Sequence, residues 1–148
     1  MKKTNNSGFS LVELIIVVAI MAVLVGVMAP QFVKYLERTK YTRDCSAIGT
    51  VLDACETMGL DPDSTWVAGN AGEITITIGS SSTTYSGGAS SELDGYVPAA
   101  NVRLDSDWGP FVITAQKNSS GAVSFDIAND SHISEIRKYS DAIADRLN

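Results

Sequence analysis

The chain opens with an eight-residue segment whose positions 2–7 are all polar, and then turns apolar. From Leu14 to Val33 twenty consecutive residues carry no charge, and from Phe9 to Val33 the only charged side chain is Glu13. As a helix, twenty residues rise about 30 Å, the hydrocarbon thickness of a bilayer. Beyond Gln31 the apolar positions thin to one stripe. Tyr41, Cys45, Ile48, Leu52 and Cys55 recur at steps of four and three, while Lys34, Arg38, Asp44, Asp53 and Glu56 fall mostly elsewhere. The pattern predicts one long helix from about Phe9 to Met58, apolar on all sides first and amphipathic later. Gly59 is its expected C-cap and Pro62 its stop.

The remainder switches to strand periods. Glu73 to Gly79 alternates Ile and Thr, Ile inward. Ser80 to Ser91 reads as a loop or a hairpin with a strand near Thr83–Tyr85. Two further strands are expected at Trp108–Lys117 and Ala122–Ile127, joined by a hairpin turn at Asn118-Ser-Ser-Gly121. From about His132 to Leu147, Ile133, Ile136, Ile143 and Leu147 repeat at near-helical spacing, with Asp130 or Ser131 as cap. The fold class expected is α+β: a long N-terminal helix packed on an antiparallel sheet of three or four strands, with a C-terminal helix.

Net charge is −6 over 148 residues and divides unevenly. Lys2 and Lys3 contribute +2, Glu13 −1, residues 34–56 balance to 0, and the rest carries −7. An acidic outer domain excludes a nucleic-acid footprint there. Lys34, Arg38, Lys40 and Arg43 follow the apolar run; on charge alone, the positive-inside rule puts that side in the cytoplasm. Cys45 and Cys55 lie ten residues apart on one helix, about 15 Å, too far to pair with each other, and read as buried core thiols.

The first segment fits neither a plain anchor nor a secretory signal. The apolar run is too long for a signal core and has no clean small-residue cleavage site after it. Glu13 is a carboxylate in an apolar run, costly in hydrocarbon by ~3 kcal/mol and in need of a partner. Gly8 stands where the polar leader ends, unhindered for a protease. MKKTNNSGFSLVELIIVVAI resembles the prepilin leader and methylation motif of type IV pilins and of the pseudopilins of type II secretion. The resemblance implies a cut between Gly8 and Phe9 by a prepilin peptidase, N-methylation of Phe9, and an assembly role for Glu13 opposite the Phe9 amine of a neighbouring subunit. It also places the globular part outside the cytoplasmic membrane, against the charge rule. Asp107-Trp-Gly109, leading into a strand, is similar to a tryptophan-glycine element near the start of a late strand in many pilins and major pseudopilins. Gly26 and Pro30, one turn apart, mark an expected bend or unwinding of the apolar helix.

The implied organisation is a leader at 1–8, a transmembrane and filament-core helix at 9–33, an amphipathic helix at 34–59 and a sheet-containing head at 60–148. The implied protein is a structural subunit of a type IV pilus, serving adhesion, motility or DNA uptake, with itself, the peptidase and the assembly machinery as partners. A pseudopilin of a secretion or competence system and a minor or tip pilin are the alternatives. No enzyme and no cofactor are expected. His132 is the single histidine, and no phosphate-binding loop occurs. Asp105, Asp107 and Asp130 are weak calcium candidates that lack the spacing of a calcium loop.

Overall fold

The computed structural model describes residues 10–128 and 130–147. Helix α1 spans Leu11–Leu60. Strands β1 (Ile74–Ile78), β2 (Thr83–Gly87), β3 (Phe111–Lys117) and β4 (Val123–Ile127) form one sheet in the order β2-β1-β3-β4, every pair antiparallel. Helix α2 covers Ser90–Tyr96, and α3 (Asp130–Arg137) and α4 (Asp141–Arg146) end the chain. The chain divides into two compact units, one up to Glu37 and one from Arg38 onward.

In the first unit α1 is continuous through Gly26 and Pro30, with no unwound turn between them. Its side chains from Leu11 to Leu36 are exposed, Leu11 by 72%. Such a surface is stable only in lipid or against other apolar chains.

In the second unit the sheet buries one face by strict alternation. Ile74, Ile76 and Ile78 of β1 lie beside Ala115, Ile113 and Phe111 of β3, and Ala115 and Ile113 lie in turn beside Phe125 and Ile127 of β4. Thr75 and Thr77 face the other way, as period two requires. The core closes with Cys45, Ile48, Val51, Leu52, Cys55 and Met58 of α1. The buried surface of α1 is wider than the single stripe read from the sequence, since Asp44, Gly49, Ala54 and Gly59 are buried too. Further partners account for this: the Asp105–Ser106 backbone meets Asp44, the Ile143 side chain of α4 lies over Gly49 and the β3–β4 turn lies against Gly59, and Arg146 reaches Asp53 and Glu56.

Several boundaries differ from the sequence reading, each for a local reason. Helix α1 runs on to Leu60, and Gly59 is a point of close approach rather than a cap. A Cβ there would meet Val123 Cγ2 at 2.5 Å and the Gly121 carbonyl oxygen at 2.8 Å. Strand β3 begins at Phe111, not Trp108, because Gly109 takes φ +73° and Pro110 has no ladder donor. The segment Ser80–Ser91 holds a full strand, β2, and the start of α2, which seven residues of pattern do not announce; Leu93 is buried there. The C-terminal helix is two helices. Ser140 is extended (φ −157°, ψ 103°) and caps α4 through Ile143 N–H. That break lets Ile136 of α3, Ala144 of α4 and Leu147 all reach the core. The turn at Asn118–Gly121 forms as expected, with Asn118 Oδ1 accepting from Ser120 N–H and Ala122 N–H and Gly121 at φ +88°.

Candidate functional site

The first site sits at the start of α1. Ser10 precedes the helix and its carbonyl accepts from Leu14 N–H at 3.2 Å. Glu13, at the third helical position, reaches back so that Oε2 accepts from Ser10 N–H at 2.9 Å. This is the glutamate half of a capping box, and Ser-x-x-Glu is its sequence signature. The carboxylate also lies at the positive end of the helix dipole. Glu13 is exposed, and its carboxylate is held by its own backbone. Gly8 and Phe9 lie outside the described residues. Nothing lies within 4 Å of a Cβ built on Gly26.

The second site gathers the acidic positions read from the sequence. Asp44 projects from α1 with 0% exposure. Its Oδ1 accepts from Asp105 N–H at 2.6 Å and its Oδ2 from Ser106 N–H at 3.0 Å. Around this clamp, Arg43 Nη1 lies 3.4 Å from Asp105 Oδ2, and Tyr41 O–H donates to Asp107 Oδ1 at 3.2 Å. Trp108 then stacks between Tyr41 (centroids 4.8 Å), Phe111 (5.6 Å) and Tyr139 (5.9 Å). Asp105 and Asp107 are thus engaged by α1 and do not converge on one point. The Asp130 side chain lies outside the described residues. Among those described, no group of three or more His, Cys, Asp or Glu is arranged to hold a metal. The sequence reading missed Asp44 as a structural residue, although a signal was present: it is three residues after Tyr41 and four before Ile48, on the apolar stripe itself.

Two further ties hold the head. Tyr96 O–H donates to Asp61 Oδ2 at 2.5 Å, and Thr65 N–H and O–H both donate to Glu92 Oε2. The Tyr96 and Thr65 bonds hold Asp61 and Glu92 below the usual carboxylate range. Arg146 Nη1 lies 2.7 Å from Asp53 Oδ1, its Nε donates to Glu56 Oε1 at 3.2 Å, and its guanidinium sits 5.8 Å above the Phe125 ring. Cys45 and Cys55 are free and buried. Burial pushes the Cys45 thiol up to about 11, with Asp44 adding to the rise, and the Cys55 thiol up to about 12.

The chain thus combines a long apolar N-terminal helix carrying a lone acid in its first turn with an α-on-sheet head. A family model for the prokaryotic N-terminal methylation motif matches residues 3–29. The type IV major fimbrial protein FimA of Dichelobacter nodosus is 32% identical over 127 residues, 82% of this chain and 78% of that protein. A fimbrial protein of Pseudomonas aeruginosa is 39% identical over 56 residues, 38% of this chain and 36% of that protein. No solved structure matches. The chain belongs to the type IV pilin family. It is a pilin subunit, of a structural family, and its apolar helix fits a membrane-anchored precursor and a surface filament.

Proposed function

We propose that this chain is made as a precursor held in the cytoplasmic membrane by residues 9–33, with its head outside. A prepilin peptidase cuts between Gly8 and Phe9 and methylates the new amine. The assembly machinery then draws the mature subunit into a helical homopolymer. The observation that carries this reading is the methylation-motif match over residues 3–29, which spans the cut and Glu13. The long overlap with a major fimbrial protein favours a pilus subunit over a pseudopilin or a tip pilin.

Glu13 carries the assembly chemistry. In the single chain its carboxylate is satisfied in part by Ser10 N–H, which lowers the cost of holding an acid at the membrane edge. Cleavage creates a cation at Phe9. A carboxylate and an amine in apolar surroundings are each costly alone and far less so together. Pairing Glu13 with the amine of a neighbour therefore sets the axial register of subunits, as one polar residue sets register in a coiled coil. Between Gly26 and Pro30, the weakest stretch of the helix, the filament has its bend point.

Mass spectrometry of the surface protein tests the maturation: the expected mass lacks residues 1–8 and gains one methyl group. Glu13→Ala is expected to leave cleavage intact and lower the yield of sheared filaments by more than about tenfold, the equivalent of ~1.4 kcal/mol. A surface protein that retains its leader, or an unchanged filament yield, refutes the reading.

A further inference from the structure

Filament chemistry leaves one feature of the chain unused. Immediately after the apolar run come four cations against one acid, Glu37. Three of these cations belong to the second unit: Arg38, Lys40 and Arg43, all exposed. Among the described residues Arg38 and Lys40 have no ion-pair partner, and Arg43 has only the exposed contact with Asp105. At about 3.6 residues per turn, Lys40 and Arg43 lie on the side of α1 opposite Arg38. The charge therefore lies on opposite sides of the helix rather than marking one face.

We infer that Arg38, Lys40 and Arg43 form a collar that binds anionic phospholipid headgroups around the membrane-anchored precursor. A protein partner engages one side of a helix, whereas a headgroup layer surrounds it. The sequence spacing agrees: Arg38, Lys40 and Arg43 follow the last uncharged residue, Val33, by five, seven and ten positions, and their long side chains reach toward charged headgroups. Tyr41, in the same segment as these cations, stacks with Trp108 and Tyr139, residue types that favour a membrane–water boundary. The collar holds the helix at one depth. Because it is counter to the charge rule for orientation, its use lies in lipid contact and not in topology.

This inference rests on the reading of residues 9–33 as a membrane span, and the experiment separates the two. The full chain is reconstituted into vesicles of equal phosphatidylglycerol and phosphatidylethanolamine, its insertion is scored by resistance to alkaline extraction, and the lipids retained after gentle detergent purification are quantified by mass spectrometry. The expected result is enrichment of phosphatidylglycerol by the wild-type chain, lowered at least about fivefold in Arg38→Gln/Lys40→Gln. Enrichment is restored in Arg38→Lys/Lys40→Arg, and insertion and thermal unfolding are unchanged throughout. Equal enrichment by wild type and the glutamine variant overturns the collar while leaving the span intact. So does a glutamine variant that retains phosphatidylglycerol but loses cross-linking between copies, since that assigns the cations to the acidic surface of a second chain. Failure of the wild type to insert overturns the span and the collar with it.

Discussion

Asp44 shows how one side chain joins distant parts of the chain. Its carboxylate meets two backbone N–H groups sixty-one and sixty-two residues away and is fully buried. Removing an acceptor from buried donors exposes the full desolvation penalty of those donors. Asp44→Ala is therefore expected to cost ~2–4 kcal/mol and to loosen the stacking of Trp108 on Tyr41, read by urea unfolding and tryptophan fluorescence of the full chain in detergent. Asp44→Asn keeps one acceptor and loses less. The cysteines make the opposite point, that burial can silence chemistry. With thiols pushed up to about 11 and about 12, Cys45 and Cys55 stay protonated where an ordinary thiol ionises. Their contribution to stability is present below the unfolded-state value near 9.0 and is lost as pH rises through the folded-state values. Alkylation at pH 8 is expected to follow unfolding, with native protein reacting far more slowly than protein in urea.

At the scale of elements, two contacts decide how α1 sits in the head. Gly59 lets the β3–β4 turn approach the helix backbone. Gly59→Ala gains about 1 kcal/mol of helix propensity but drives a methyl group against a carbonyl, and overpacking costs ~1–3 kcal/mol. The net expectation is a loss, measured as a lower urea midpoint. Gly49→Ala meets only the tip of Ile143 and is expected to lose less. On the other side, Arg146 ties α4 to α1. Arg146→Met keeps much of the contact over Phe125 but drops both carboxylate contacts. Since Arg146 is partly exposed, the expected cost is ~1–2 kcal/mol, shrinking in high salt.

For the whole molecule, the two units meet different physical demands. The first presents an exposed apolar surface, the kind that is stable in lipid or against other apolar chains. The second is a self-contained head whose sheet, helix α1 and C-terminal helices share one core. Exposed Glu13 and the cations after Val33 stand at opposite ends of the apolar run, so each end carries a charge that apolar surroundings alone do not satisfy.

The amino-acid pattern by itself determined the elements with long, regular periods. A run of twenty uncharged residues, the stripe from Cys45 to Cys55 and the Ile-Thr alternation of β1 each repeat often enough to name a helix or a strand. The motif around Gly8, Phe9 and Glu13 carried the family in the same way, as local chemistry at fixed spacing. Tertiary structure alone decided what depends on contacts between distant segments: the burial of Asp44, the close approach at Gly59, the short helix α2 held through Leu93 and Glu92, and the break at Ser140. A periodic pattern reports which face of an element is apolar. It does not report how many neighbours cover that face, nor which polar side chain will find buried donors sixty residues away.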